Sequence, residues 1–319
     1  MKQVKTDNLC NETTTFGNNK RPTRKYSLQA FVNLLRSPPA YVTLLLLSYA
    51  LGYLSAPKPV GISPVAPSVD PTRGEKLLRE QLDNFRVTTR CSDPVKPELV
   101  REKLIARLFN GSSPYNNFPP PHAVGILRER KPKGWGSNGA VFRRLIEKVR
   151  PKVIIEVGTF QGASALHMAR VTRELGLRTQ VLCVDDYRGW PGFMDRFKYL
   201  DSVNGDVSLL YQFMWNVVRE NATGYVLPVP YSSGSTLLTL CEWGVYGDLI
   251  EIDAGHDFNS AWADINRAIR VLAPGGVMFG HDYFTGADNR GVRRAVDLFA
   301  RLNRFVVRTD GQHWVIYTS

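Results

Sequence analysis

The strongest constraint on the fold is a regular alternation of short apolar runs with longer amphipathic runs from residue 138 onwards. The short runs, rich in Val, Ile and Leu, predict buried strands, and the longer runs predict helices. Parallel strands need a crossover connection, usually a helix, so this alternation is typical of a parallel sheet with helices on both faces. The predicted fold class is therefore α/β.

Seven strands and the helices between them can be placed from the pattern. The predicted strands are 153–157, 180–184, 225–229, 248–252, 277–280, 304–308 and 313–317. The predicted helices are 139–149, 163–175, 207–220, 235–241, 259–272 and 291–302. Only a turn at 309–311 separates the last two strands, so they are expected to be antiparallel in a mostly parallel sheet. Ligands of such sheets bind outside the carboxyl ends of the strands.

Residues 37–57 carry no charged side chain. At about 1.5 Å per residue, a helix of this length just reaches a hydrocarbon core of roughly 30 Å. Lys and Arg precede the run, whereas the charges after it are nearly balanced, so the positive-inside rule places residues 1–36 in the cytosol. We expect the signal-anchor of a single-pass type II membrane protein. A cleaved signal or transit peptide and a buried core helix are the alternatives.

Composition divides the chain into four segments. They are a basic cytosolic tail (1–36), the transmembrane signal-anchor (37–57), a Pro-rich stem with accessory helices at 71–85 and 97–109 (58–137), and the main domain (138–319). The formal net charge is +12, but much of the excess lies in the tail rather than across a binding face, so nucleic acid is not an expected partner. The sequence leaves the oligomeric state open.

The topology predicted for the anchor places residues 58–319 in the lumen of the endoplasmic reticulum or Golgi apparatus. Asn110 and Asn221 each begin an N-x-Ser/Thr glycosylation signal there. Four Cys without zinc-site spacing exclude a zinc ribbon. A Cys91–Cys241 disulfide is one option in an oxidising lumen, whereas Cys183 lies within a predicted strand and is expected to be a buried thiol.

The first predicted strand runs into the sequence EVGTFQG at residues 156–162. A glycine turn that opens a helix lets a ligand approach the backbone, and Gly158 is expected to leave that space. The spacing differs from the GxGxxG of pyrophosphate binders, and the acid Glu156 favours a cationic ligand. Asp185 ends the second strand, where a carboxylate can hold ribose hydroxyls. Together these residues favour a nucleoside ligand, although Glu156 as a turn cap and Asp185 as a solvated acid remain the alternative.

Acids and histidines follow the next two parallel strands. Asp253 and His256 follow the fourth strand, and His281 and Asp282 follow the fifth. These strands should be neighbours, so the side chains are expected to converge. Asp253, His281 and Asp282 would suit Mg²⁺ or Mn²⁺, and His256 and Asp282 are the candidate catalytic residues. In the alternative interpretation His256 caps a helix or contacts the cofactor, and Asp282 only orders its loop.

With EVGTFQG, VDDY, DLIEIDAGH and LAPGGVMFGHDY in this order, residues 138–319 resemble the class I S-adenosylmethionine-dependent methyltransferases. Within them the chain is most similar to the branch of sugar O-methyltransferases and cephalosporin-hydroxylase-like proteins. The resemblance implies a Rossmann-like fold, with Glu156 facing the methionine end of the cofactor and His256 as a base, and it supports a metal. The cofactor-binding residues that it implies are Glu156, Gly158, Thr159, Gly162, Asp185 and Asp253.

The expected function is O-methylation of a glycan or a small hydroxylated acceptor. A membrane-anchored binding protein without turnover and an oxidising or hydroxylating enzyme on the same fold are the alternatives. Two tryptophans could belong to the site. Trp135 lies between two glycines and could stack on a sugar, and Trp190 belongs to a loop that could be a lid or merely loop packing.

Overall fold

A computed structural model describes residues 38–55 and 89–318 of the chain. The chain divides into two compact units, residues 1–83 and 84–319. The predicted basic tail, most of the predicted stem and the helix predicted at 71–85 lie outside the described residues.

The first unit contains one described helix, α1 (Pro38–Ser55), within the uncharged run. Among the described residues, no helix is both long enough and apolar enough to cross a membrane. At about 1.5 Å per residue its 18 residues span about 27 Å, and Pro, Tyr, Ser, Thr and Gly interrupt the apolar side chains. The structure therefore confirms a helix at this place but not the predicted transmembrane signal-anchor.

The second unit is built on a sheet whose strands lie in the order β5-β2-β1-β6-β7-β9-β8. The strands are β1 (Val153–Val157), β2 (Gln180–Val184), β5 (Val226–Val229), β6 (Gly247–Ile252), β7 (Leu272–Gly280), β8 (Val307–Asp310) and β9 (His313–Tyr317). A separate hairpin consists of β3 (Ser202–Val203) and β4 (Asp206–Val207). In the main sheet β9 alone runs in the opposite direction, and it pairs antiparallel with both β7 and β8, whereas the other pairs are parallel. The predicted seven-stranded, mostly parallel sheet is confirmed.

Helices cover both faces of this sheet. They are α2 (Pro97–Leu108), α3 (Ala140–Val149), α4 (Ala163–Glu174), α5 (Phe193–Arg196), α6 (Leu209–Arg219), α7 (Ser233–Glu242), α8 (Phe258–Ala268) and α9 (Gly291–Asn303). One core lies between the sheet and α2, α7, α8 and α9, and the other between the sheet and α3, α4 and α6. Strands β1 and β2 are buried along their whole length, which is why they read as continuous apolar runs.

Several element boundaries differ from the sequence prediction, and three of the differences have a clear local reason. Helix α6 begins two residues later than predicted, because residues 206 and 207 pair in the β3–β4 hairpin. Strand β7 begins at Leu272 and contains the Pro274-Gly275-Gly276 segment expected as a turn, with a register shift against β6. Strand β8 begins at Val307 because Arg304 adopts a left-handed φ of 60° at the end of α9.

Residues 89–137 pack against the sheet rather than forming a separate stem. Val100 and Leu104 of α2 are buried in the core that α7 also lines. Arg101 donates hydrogen bonds to the Thr223 carbonyl and to the Gln180 side chain, at 2.6 and 3.0 Å. The predicted domain boundary at residue 138 is therefore wrong for this segment, because these contacts join it to the sheet.

A disulfide between Cys91 and Cys241 links the segment before α2 to the end of α7. The sequence analysis left this pairing open as one option. Cys183 is a free and buried thiol, as expected. The bridge closes a loop with a sequence separation of 150 residues. It therefore restricts a large part of the unfolded chain.

The carboxyl ends of β1 and β6 approach each other closely at Gly158. Its φ is +90°, and a Cβ atom placed there would lie 2.1 Å from the backbone oxygen of Asp253. The glycine is thus required by backbone packing between two strand ends. The sequence expectation, that its missing side chain leaves space for a ligand, gave a different reason for the same residue.

Cys91→Ser should destabilise the protein by about 2–4 kcal/mol, because the unfolded chain would no longer be cross-linked. Urea denaturation with and without a reductant measures this. The wild type should unfold at a lower urea concentration when reduced, whereas the midpoint for Cys91→Ser should not respond to the reductant. Equal midpoints for the oxidised and reduced wild type would contradict the bridge.

Gly158→Ala should destabilise the domain, because the new Cβ would collide with the Asp253 carbonyl. Gly176→Ala is the matched control, since Gly176 also has a positive φ of 67° but nothing lies within 4 Å of its added Cβ. The control should cost about 1–2 kcal/mol from conformation alone. Gly158→Ala should cost about 1–3 kcal/mol more from overpacking, measured by thermal unfolding. An equal loss for the two variants would refute the close approach.

Candidate functional site

The predicted site residues lie at one edge of the sheet, where β1, β2, β6 and β7 end side by side. Gly158 follows β1, Asp185 follows β2, Asp253 follows β6 and His281 follows β7. The parallel register of these strands aligns their carboxyl ends, so side chains distant in sequence become neighbours. This is the edge at which open α/β sheets bind ligands.

The loop after β1 contains three left-handed residues before α4 begins. Gly158, Phe160 and Gly162 have φ values of +90°, +53° and +83°. A Cβ on Gly162 would lie 2.8 Å from the Phe213 ring, so glycine is needed there for packing with α6. Phe160 adopts a conformation that non-glycine residues rarely take, and surrounding contacts must hold it.

Asp185 provides those contacts. One carboxylate oxygen accepts hydrogen bonds from the backbone N–H groups of Thr159 and Phe160, at 2.9 and 2.8 Å. The other accepts from the Tyr187 N–H, at 2.7 Å. Burial raises the pKa of Asp185 although these hydrogen bonds oppose the rise. The two loop N–H groups are thus already paired with an anion, which leaves them unavailable to a pyrophosphate and agrees with the absence of GxGxxG.

Glu156 lies beneath this loop and is completely buried. Its carboxyl group accepts hydrogen bonds from the hydroxyls of Thr159, at 2.7 Å, and Ser164. Glu251 faces it in the register of β1 and β6 and is also buried. Burial raises the pKa of Glu156 to about 7, even though the hydroxyls lower it. Glu156 therefore organises the loop from below, and its predicted position facing the methionine end of the cofactor stays a prediction.

Asp253, His256 and Asp282 converge at the ends of β6 and β7. His256 Nε2 lies 3.1 Å from an Asp282 carboxylate oxygen and 3.8 Å from an Asp253 carboxylate oxygen. Asp282 has a left-handed φ of +59°, which turns the chain sharply at the end of β7. The His256 side chain is 42% exposed, so a ligand can reach it. The structure brings together the two candidate catalytic residues, His256 and Asp282.

The charges in this group alter each other's protonation. The interaction with Asp253 raises the pKa of His256, and Asp282 adds to the rise against the effect of burial. Burial alone would raise the pKa of Asp282, but hydrogen bonding to His281 and the charge of His256 outweigh it and lower the pKa. The imidazole is therefore a stronger base than a free histidine, and the carboxylate stays ionised beside it.

His281 is oriented differently from the predicted metal ligand. A Cβ on Gly136 would lie 2.5 Å from its Nε2, so this side of the ring lies against the backbone before α3. The ring also packs edge-on against buried His313, with centroids 4.8 Å apart. Its Nδ1 lies 3.2 Å from Asp282. Among the described residues, the metal-like cluster is Asp253, His256 and Asp282, so the predicted set with His281 is corrected.

The donor atoms of that cluster all lie within 4.8 Å of one another. Octahedral Mg²⁺ holds its ligands at about 2.1 Å, so opposite ligands lie about 4.2 Å apart. Two carboxylates and one imidazole therefore match Mg²⁺ or Mn²⁺ in kind, after a small contraction of the cluster. A bound metal remains a prediction.

Five aromatic side chains, which the sequence did not combine into one group, cluster beside the loop after β1. They are Trp135, Phe160, Trp190, Phe193 and Phe197. Trp135 and Trp190 were noted from the sequence, but their proximity depends on the fold. The loop after β5 contains exposed Tyr231, and the Ser232 hydroxyl caps α7.

Comparison with known proteins agrees with the residues at this edge. Residues 155–283 match a family model described as a methyltransferase domain. This stretch contains Glu156, Asp185, Asp253, His256 and Asp282. No curated protein sequence matches the chain.

Solved structures show a distant likeness. An O-methyltransferase from Bacillus cereus in complex with SAH is 17% identical, with 70% of this chain and all of that chain covered and a TM-score of 0.43. The cofactor-bound protein Rv0187 from MTB is 19% identical, with coverage of 71% and 98% and a TM-score of 0.44. The O-methyltransferase NovP is 17% identical, with coverage of 56% and 77% and a TM-score of 0.42. Likenesses at this level carry no conclusion about function.

The matched stretch begins within β1 and ends just after Asp282, so it includes both sides of the edge described above. The chain therefore carries a methyltransferase domain over residues 155–283.

Proposed function

We propose that the protein methylates a hydroxyl oxygen of a glycan or a small hydroxylated acceptor. The observation that carries this proposal is the pairing of His256 with Asp282 at the edge of the sheet next to the loop after β1. A hydroxyl is a poor nucleophile at neutral pH, and a positioned base removes its proton as the new bond forms. Imidazole and carboxylate side by side, with the imidazole exposed, supply such a base.

His256 takes the central role in this proposal. Its Nε2 faces two carboxylates, so in the neutral ring this nitrogen carries the proton and donates it to Asp282. Nδ1 is then the nitrogen that accepts the proton of the acceptor hydroxyl. Asp282 and Asp253 stabilise the imidazolium that results. Asp282 thus fixes the tautomer and orientation of the ring.

The residues of the loop after β1 are proposed to hold the cofactor. When bound, S-adenosylmethionine supplies an electrophilic methyl group. Gly158 keeps the backbone close to β6, and Asp185 fixes the Thr159 and Phe160 amides, so the loop has one conformation before the cofactor arrives. Gly162 allows α4 to start against α6. The chain's part in the reaction is mainly positioning, which accounts for much of the rate of a displacement.

A divalent cation at Asp253, His256 and Asp282 is the second candidate arrangement, carried by the convergence of their donor atoms. Such an ion would supply a Lewis acid for the acceptor oxygen. Its presence would occupy His256 Nε2, the nitrogen that otherwise donates to Asp282. The two arrangements therefore assign different roles to the same ring.

His256→Ala and Asp282→Asn should retain S-adenosylmethionine binding and lose methyl transfer by about 10²–10⁴-fold, because the base or its partner is removed. Calorimetry measures binding, and transfer of a labelled methyl group to an extract of glycans and small molecules measures turnover. His122→Ala, a change at an exposed histidine outside the group, is the control. Wild-type turnover in both variants would refute the assignment of His256 as the base.

A chelator separates the two arrangements in the same assay. If a metal is bound, the chelator should abolish transfer and Mg²⁺ or Mn²⁺ should restore it. If activity survives the chelator while His256→Ala is inactive, the base stands without the metal. S-adenosylmethionine binding with no transfer to any acceptor would favour the non-catalytic alternative, and oxygen-dependent turnover would favour the oxidising one.

We further propose that residues 89–318 function in an oxidising compartment, such as the lumen of the secretory pathway. The Cys91–Cys241 disulfide supports this, because such bonds persist mainly outside the cytosol. Asn110 and Asn221 are both exposed, so the glycosylation signals are accessible.

Mass spectrometry of the protein from its own cells, after blocking free thiols, tests this location. Cys91 and Cys241 should be recovered as one linked peptide, and a glycosidase should change the mass of a peptide with Asn110 or Asn221. Reduced cysteines together with unmodified asparagines would place the domain elsewhere.

A further inference from the structure

The five-membered aromatic cluster at the carboxyl edge has an inner and an outer part. Phe193 and Phe197 are buried, with centroids 4.9 Å apart, and Phe160 lies 4.9 Å from Phe197. Trp135 and Trp190 form the outer part, with exposed fractions of 52% and 41%. The inner rings thus support two large apolar side chains that remain half in water.

The backbone around Trp135 holds its indole outward. A Cβ on Gly134 would lie 2.8 Å from the Ala163 Cβ, and one on Gly136 would lie 2.5 Å from His281 Nε2. The Lys133 N–H donates to the Gln161 side chain, at 3.0 Å. The segment 133–137 is therefore pressed against the start of α4 and the end of β7. Burying the indole would require this backbone to move.

The same contacts connect the backbone next to Trp135 to the proposed catalytic pair through His281. Gly136 touches His281, and His281 Nδ1 lies 3.2 Å from Asp282, the partner of His256. On its other side Trp135 reaches Trp190, with ring centroids 6.5 Å apart. Trp135 is therefore linked to the proposed base through Gly136, His281 and Asp282, and its indole contacts Trp190.

We propose that Trp135 and Trp190 form the binding platform for a pyranose ring of the methyl acceptor. The negative face of an indole attracts the partly positive C–H bonds on the face of a sugar ring. The planes of the two indoles meet at 62°, which offers two inclined surfaces rather than a parallel slot for a flat aromatic molecule. Exposed Lys133, two residues before Trp135, can bind hydroxyl groups of a ring on the platform.

This inference rests on the proposed O-methylation, because it names the acceptor class of the same site. Exposing the apolar surface of an indole to water is unfavourable. Two adjacent half-exposed tryptophans at the ligand-binding edge of the sheet are therefore typical of a surface that a ligand covers. A saccharide satisfies both the apolar faces and the polar groups around them. The alternative occupant is the cofactor, since Trp190 lies on the same loop as Asp185.

The test measures binding without turnover. The full chain is titrated with cellohexaose, xylohexaose and mannohexaose in turn, and separately with S-adenosylmethionine. Calorimetry measures the binding in each titration. At least one oligosaccharide should bind, and Trp135→Ala and Trp190→Ala should each raise its Kd about tenfold or more. Trp135→Phe should retain part of the affinity, because it keeps an aromatic face. The Kd for S-adenosylmethionine should stay within about twofold in all three variants.

Leu302→Ala, which removes an exposed apolar side chain on α9, is the control and should leave both affinities unchanged. Failure of all three oligosaccharides to bind would overturn the proposal. So would an equal loss of S-adenosylmethionine affinity in the Trp variants, which would assign the indoles to the cofactor. If oligosaccharide binding depends on the indoles but no methyl group is transferred, the platform stands and the proposed O-methylation fails.

Discussion

The hydrogen bonds that Asp185 accepts from Thr159, Phe160 and Tyr187 join the loop after β1 to the loop after β2. A buried N–H group without a hydrogen-bond partner destabilises a fold by about 1–3 kcal/mol. The carboxylate stabilises the loop because it accepts hydrogen bonds from N–H groups that would otherwise lack a partner. Three features depend on the resulting conformation. The Thr159 hydroxyl reaches Glu156, the Phe160 ring enters the aromatic cluster, and α4 starts at a defined place. The loop proposed to hold the cofactor and the proposed sugar platform thus depend on the same carboxylate.

The fold was largely predictable from local pattern, because buried parallel strands are short apolar runs with few competing interpretations. Strands β1, β2 and β9 have the predicted bounds. The errors occurred where tertiary pairing decides the outcome. Strand β7 extends through Pro274-Gly275-Gly276, which reads locally as a turn, because β6 is available as a partner. The packing of α2 on the sheet depends on two buried residues and a disulfide, neither of which marks a domain boundary in sequence.

The candidate site was predictable as a neighbourhood but not in its geometry. Strand order alone places Asp253 beside Asp282, since β6 and β7 are adjacent. Which histidine joins them depends on the left-handed turn at Asp282 and on the Gly136 backbone that holds His281, and neither follows from the spacing of residues. The aromatic cluster combines segments around residues 135, 160 and 190–197. Only the folded chain brings these together.

The position of β9 also has a consequence for how the chain is made. β9 is the last strand of the sheet in the chain and is therefore synthesised last. In the sheet, however, it is an internal strand that lies between β7 and β8. Until it emerges from the ribosome, β7 is an open edge and β8 has no partner, although five parallel strands are already present. An unpaired edge of this kind is prone to aggregation. Nascent chains that lack β9 should therefore be the ones that most need a chaperone, and the sheet can close only after translation of His313–Tyr317.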